Sequence, residues 1–273
     1  MDLRRVLEVI NLSDTGRRRP HNEDSCVTDT SLGLVVLADG MGGYKAGEVA
    51  SAIAVMTILT GVRAGLGKRA KDDQDAGDLS SEALLVRDSV VAANAQIYKT
   101  AQTDPTCQGM GTTVVSVLFH DNKVTIAHVG DSRLYRMRGD KFQQLTADHS
   151  LIQELIDRGF FTPEEAAANT PKNLVTRALG IDPSVQVDVR DEACEPGDIY
   201  LLCSDGLNDM VTDEEIRLTL SKYSANLVSA GHELIRLANE NGGKDNISVI
   251  LARPRTRFPA NRPWHEKLTR RFQ

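Results

Sequence analysis

Aromatic side chains are scarce, at 4% of the 273 residues with a single Trp. A pocket that sandwiches nucleobases between aromatic rings is therefore not indicated. Cysteine is sparse as well: Cys26, Cys107, Cys194 and Cys203 are scattered, with no Cys-x-x-Cys pair. That excludes a zinc ribbon and a disulfide framework, and suits small buried thiols in a reducing compartment. No Cys-x5-Arg loop and no upstream-spaced Walker loop occur. Basic excess is missing, since the net charge is −6, so no broad cationic face for nucleic acid is expected. The histidines (His21, His120, His128, His149, His232 and His265) form no ligand-spaced pair. The opening MDLRRVLEVINLSD has no apolar signal-peptide core, and no window approaches a membrane span. The expectation is a cytoplasmic protein with no membrane or nucleic-acid partner, in which the sequons at Asn11 and Asn246 are chance matches.

What is present is an ordinary globular balance, 41% hydrophobic and 26% charged, enough to bury a core. Residues 7–16 read as a strand followed by a polar turn, RRRPHNED, and Leu34-Val35-Val36-Leu37-Ala38 as a buried strand halted at Asp39. Residues 47–66 form a largely apolar helix, 67–80 a charged loop, and 81–102 a second helix packed beside the first on one sheet face. Four short apolar runs between residues 112 and 146, separated by turns such as Asp121-Asn122 and Gly139-Asp140, predict an antiparallel meander. Residues 148–180 read as a helical flap, with Ser150 and Gln153 in capping-box positions and Pro163 and Glu165 following Thr162. Two more strands, a helix capped by Thr212 and Glu215, an amphipathic helix stopped by two glycines, and a closing strand follow. Nothing alternates as βαβ, so the fold class is α+β. The domain spans 1–255, leaving a basic tail at 256–273.

The candidate chemistry lies in acids at strand edges. Asp39-Gly40 and Asp205-Gly206 each end an apolar run, Gly130-Asp131 ends a third, Asp245 stands at the entrance of the last strand, and Glu23-Asp24 lie near the first. Strand ends that converge would crowd these charges unless cations sat among them. Carboxylate oxygens without histidine suit Mg²⁺ or Mn²⁺. A glycine after Asp39 would let its own carbonyl approach an ion. Two such ions roughly 3.5–4 Å apart activate water for in-line attack at phosphorus. Arg19 can offer a bidentate fork to the phosphate, whereas Arg17 and Arg18 read as a solvated turn.

RPHNED, ADGMGG, GMGTT, VGDSR, CSDGL and KDNISV occur in that order across residues 10–253. Together they resemble the metal-dependent Ser/Thr protein phosphatases of type 2C, in their bacterial branch. The resemblance implies a four-layer α-β-β-α sandwich of two antiparallel sheets flanked by helix pairs. It implies hydrolysis of phosphoserine and phosphothreonine in proteins by a hydroxide bridging two Mn²⁺ or Mg²⁺ ions, without a phosphoenzyme. Asp39 would bridge the ions, the Gly40 carbonyl would bind one, and Asp205 and Asp245 the other. Asp131 with Asp205 would hold a weaker third. Glu23, Asp24 and Asn246 would support the site from behind, Thr112 and Thr113 would brace it, and Arg19 would bind the substrate phosphate. A cognate Ser/Thr kinase among the substrates and a monomeric state are further expectations.

One position departs from the animal members, which carry a histidine two residues after the bridging Asp. Met41 stands there, without a proton to give. A water on the third ion, held by Asp131, is the expected substitute acid. Cys203 reads as packing. Two other readings stay open at this point: a non-catalytic binding module, which would be expected to have lost a ligand, and a small-molecule metal phosphoesterase, which would be expected to have an enclosed aromatic pocket.

Overall fold

The structure, a computed structural model, describes residues 2–43, 45–69, 79–162, 165 and 174–259. The expectations for Pro163, for most of the loop at 70–78 and for the tail at 260–273 fall outside those residues. In chain order the strands are β1 (Leu7–Asp14), β2 (Asp24–Asp29), β3 (Leu34–Met41), β4 (Gly111–Thr112), β5 (Val114–His120), β6 (Lys123–Val129), β7 (Arg133–Arg138), β8 (Lys141–Gln144), β9 (Asp188–Ala193), β10 (Ile199–Cys203) and β11 (Ile247–Pro254). The helices are α1 (Ala46–Arg69), α2 (Ser81–Thr103), α3 (Leu151–Asp157), α4 (Asp205–Asn208), α5 (Asp213–Lys222) and α6 (Leu227–Glu240).

Two antiparallel sheets form, one ordered β1-β11-β10-β7-β8 and the other β2-β3-β5-β6-β9, with β4 paired to β3. The interior strands β3, β5, β6, β10 and β11 are largely buried on both faces because each face has a layer to meet. In β3, Val35 and Leu37 point between the sheets while Leu34, Val36 and Ala38 pack under α1 and α2. In β10, Tyr200 and Leu202 enter the inter-sheet core, and Leu201 and Cys203 lie against α5 and α6. The α-β-β-α sandwich therefore follows from period-two alternation inside unbroken apolar runs.

Several local signals act as the sequence suggests. Asp121 and Asn122 take left-handed φ of 40° and 56°, a hairpin turn between β5 and β6. Thr212 and Glu215 form both legs of a capping box on α5. Thr162 and Glu165 exchange the same pair of bonds, at 2.9 and 3.3 Å. Ser150 caps α3 through the Gln153 N–H, but the Gln153 amide turns to Asp157, so only half of that box forms.

Four expectations are corrected. The meander is two hairpins in different sheets: β5 pairs β6, β7 pairs β8, and the chain changes sheet at Gly130–Ser132. Unbroken apolar runs carry no label for the sheet they join. The strand at 34–38 continues to Met41, and β2, polar at both ends, lies beside it. Asp205 opens a helix rather than ending a strand, since Ser204 is the N-cap of α4. Finally, Ala46–Leu66 is long and apolar enough to cross a membrane, with mean hydropathy 1.7. In the fold it is a core helix that buries Ala50, Ala54, Ile58 and Val62. Past β11, Phe258 is buried edge-on to Phe119, and its N–H donates to Asn122 Oδ1 at 2.7 Å. Inter-sheet packing thus continues beyond residue 255.

Candidate metal centre

All the acidic strand ends meet at one end of the sandwich. Asp39 on β3 stands directly opposite Asp24 on β2, a like-charge pairing that is unfavourable in a sheet without a counter-ion. Three backbone-linked bonds hold Asp39. Its N–H donates to Thr113 Oγ1 (3.2 Å), and its carbonyl accepts from Thr113 N–H (2.9 Å) and Thr112 Oγ1 (2.8 Å). Gly40 follows because nothing else fits: a Cβ there would lie 2.1 Å from the Gly47 carbonyl oxygen. Asp131 sits in the sheet-to-sheet crossover, Asp205 in the first turn of α4, and Asp245 just before β11.

These carboxylates act on one another. Asp39 is held well above the ordinary carboxylate range by burial first and then by the charges of Asp24, Asp205, Asp131 and Asp245. Asp205 is raised likewise by burial, then by Asp131, Asp245, Asp209 and Asp24. Burial and the neighbouring Asp148 push Asp131 up to about 6. Asp24 is also pushed to about 6 by burial, against the Ser204 hydroxyl bond that pulls it down. Burial also raises Glu23, whose carboxylate lies against Gly47.

Arg19 reaches this cluster, with Nη2 2.6 Å from Asp245 Oδ2. Asn246 ties the loops together. Its Oδ1 accepts the Glu23 N–H at 2.8 Å, and its Nδ2 donates to the Thr15 and His21 carbonyls, each at 2.9 Å. Being 5% exposed, it cannot serve as a glycosylation acceptor in the folded chain.

The donor set fits hard divalent cations. Asp24 Oδ2 takes the Ser204 hydroxyl at 2.8 Å, while its Oδ1 is buried with no partner among the described residues. An orphaned carboxylate oxygen beside three other raised acids needs positive charge, and oxygen-only ligation favours Mg²⁺ or Mn²⁺ over zinc.

Sequence reasoning missed three contributors. Asp209 adds negative charge at Asp205 and Asp131. Ser204 accepts the Ser248 N–H at 3.0 Å while donating to Asp24. Asp148 grips Arg133 by both carboxylate oxygens, at 2.7–3.0 Å. Only Asp209, four residues after Asp205 and so on the same helix face, could have been found from spacing.

The histidines lack ligand spacing in the sequence, but in space His128, His149 and Asp188 converge with candidate ligand atoms within 4.8 Å. These groups are already engaged. Asp188 Oδ1 accepts from Arg177 at 2.8 Å, His149 Nδ1 accepts the Gly130 N–H at 3.0 Å, and His128 Nε2 donates to the Ala147 carbonyl at 2.9 Å. Burial holds both rings below the usual histidine pKa. With a guanidinium inside it, the cluster is a hydrogen-bonded network rather than a cation site.

Residues 17–252 match the Protein phosphatase 2C family. The serine/threonine protein phosphatase PstP of Mycobacterium tuberculosis is 38% identical over 248 residues, covering 90% of this chain and 45% of that protein. The chain thus spans about half the length of this relative. Protein phosphatase PhpP of Streptococcus pneumoniae is 37% identical, with 90% and 96% covered. The PstP catalytic domain, solved in complex with two manganese ions, superposes with a TM-score of 0.77 at 37% identity, covering 91% of this chain and 98% of that one. The chain belongs to the protein phosphatase 2C family.

Proposed function

We propose that this chain hydrolyses phosphoserine and phosphothreonine in proteins with divalent cations held by its acidic cluster. The observation that carries the reading is the gathering of Asp24, Asp39, Asp131, Asp205 and Asp245 at one end of the sandwich, with Asp24 opposite Asp39 in the sheet and a buried Asp24 oxygen that has no partner among the described residues; burial and neighbouring charges raise Asp39 and Asp205 there. Such a site is unfavourable for the protein alone and favourable for a cation-loaded one. In this reading Asp39, the Gly40 carbonyl, Asp205 and Asp245 would hold two divalent ions, with Asp39 shared between them. Asp131 with Asp205 would hold a further ion. Glu23, Asp24 and Asn246 orient the shell behind them. Divalent ions, when bound, supply hydroxide at neutral pH for direct attack at phosphorus.

The chain's own groups do the rest. Arg19 leaves Asp245 for the substrate phosphate, two of whose oxygens its guanidinium can fork. Met41 has no proton to give, so Asp131 is assigned the water that protonates the departing Ser or Thr oxygen. A cysteinyl-phosphate on Cys203 is disfavoured because that residue lies buried in the core, its thiol pushed up to about 12. Natural substrates would be phosphoproteins of a Ser/Thr kinase pathway, the kinase included. A cytoplasmic setting is consistent with four free cysteines.

The test is hydrolysis of para-nitrophenyl phosphate and of a phosphothreonine peptide, with Mn²⁺, Mg²⁺ or chelator. Cation-dependent release of phosphate from the peptide is expected. Inactivity with every divalent ion would instead favour a non-catalytic module, and a strong nucleotide preference a small-molecule phosphoesterase.

A further inference from the structure

We infer that His149 is a positioning residue that sets the Asp131 loop and couples it to the stem of the flap. It clamps Gly130 twice: the His149 N–H donates to the Gly130 carbonyl at 3.0 Å, and the Gly130 N–H donates to Nδ1 at 3.0 Å. Gly130 has φ of +105°, and a Cβ there would lie 2.6 Å from the Thr113 side chain. The crossover that His149 holds therefore lies hard against Thr113. Thr113 in turn accepts the Asp39 N–H (3.2 Å) and bonds the Ser132 hydroxyl (2.7 Å). One side chain thus registers the crossover that carries Asp131 against the β3 strand that carries Asp39, across the junction of the two sheets.

The outer edge of the ring faces the flap stem. Because Nδ1 accepts, the ring proton is on Nε2, 3.3 Å from Asp188 Oδ2. Arg177 Nη1 lies 3.1 Å from Nε2 and donates to Asp188 Oδ1 at 2.8 Å. His128 stacks on the ring with centroids 4.7 Å apart and planes 18° from parallel. The backbone follows the same route: the Thr176 N–H donates to the His149 carbonyl (2.8 Å), and the Leu151 N–H to the Leu174 carbonyl (2.9 Å). Displacement of Arg177 or of residues 174–176 is passed through His149 to Gly130, and so to the Asp131 carboxylate.

The inference rests on the reading that Asp131 ligates a cation, and the test separates the two. Mn²⁺ alone is titrated calorimetrically into His149→Asn, His149→Gln, His149→Ala, Arg177→Ala and Asp131→Asn, with melting temperature and kcat against Mn²⁺ concentration measured in parallel. Asn can offer an oxygen to the Gly130 N–H near the Nδ1 position, whereas Gln reaches toward Asp188 and misses Gly130. The expected result is that Asp131→Asn abolishes the weakest Mn²⁺ event. His149→Gln and His149→Ala should weaken that event about tenfold, the loss of one hydrogen bond's worth of positioning. His149→Asn should restore it to within about threefold, and Arg177→Ala should fall between. Equal behaviour of Asn, Gln and Ala, with lower melting temperatures but unchanged Mn²⁺ binding and kcat, overturns the positioning role while leaving the metal reading intact. Should Asp131→Asn itself bind Mn²⁺ as the wild type does, both fall.

Discussion

Removing one negative charge from the centre should make the cation-free protein more stable. Asp131, 9% exposed, has its pKa raised from 3.8 to about 6 in the folded chain. Between those values the folded state binds more protons than the unfolded one, so stability falls as pH rises from about 4 to about 6 and stays low above that. At about 1.4 kcal/mol per pH unit, the ionised carboxylate costs roughly 3 kcal/mol at pH 7.5 without divalent ions. Asp131→Asn keeps the shape and removes the charge, so a net gain of about 1–3 kcal/mol is expected. For a chain of this size that is roughly 5 °C in melting temperature. Differential scanning calorimetry in chelator at pH 7.5 and pH 4.0 reads it directly. The gain should shrink to about 0.5 kcal/mol at pH 4.0, where Asp131 is protonated in the folded chain and about half protonated in the unfolded one. Added Mn²⁺ should raise the wild type more than the variant. A variant less stable than wild type at pH 7.5, or a gain equal at both pH values, would refute electrostatic strain as the character of this site.

Arg19→Ala should lower kcat/KM on a phosphothreonine peptide about 10–100-fold, mostly through KM, because a charge-assisted bidentate contact is lost; steady-state kinetics at saturating Mn²⁺ measures it, and an unchanged KM removes Arg19 from phosphate binding. Gly40→Ala forces a Cβ to 2.1 Å from a backbone oxygen, so urea denaturation should show a loss above about 3 kcal/mol. Ser204→Ala strands the Ser248 N–H and deprives Asp24 Oδ2 of its donor. It should cost about 1–3 kcal/mol in the same assay, and its Mn²⁺ titration should shift with it.

The sequence made the individual pieces of the centre readable because each acid sits beside a glycine or a turn. Asp39-Gly40 and Asp205-Gly206 mark places where backbone must approach backbone, Gly130-Asp131 one where the chain takes a left-handed φ, and both needs show in one dimension. The α+β class was readable for a similar reason, from helical periodicity in 81–102 and apolar runs in 112–129. What was hidden depends on contacts between distant segments. Nothing around His149 signals that it will meet Gly130 nineteen residues earlier and Asp188 thirty-nine later. Ser204 reads as strand-end polarity until Asp24 arrives from 180 residues away. The division of 112–146 into two sheets was hidden because β6 is buried on both faces, so alternation gave no face to assign. β2 escaped notice because DSCVTD has little apolar content and is stabilised by its neighbours.

The crossover at Gly130–Ser132 has a mechanical consequence. Asp24 and Asp39 belong to one sheet, Asp205 follows β10 and Asp245 precedes β11 at the strand ends of the other, and Asp131 hangs from the peptide that joins them. Any ion gripped by both groups acts as a rivet through the two slabs, resisting the shear that slides one across the other. Loading the centre should therefore quiet motions far from it, along the whole length of the inter-sheet seam. A fragment holding a single slab would keep half of the grip and none of the rivet.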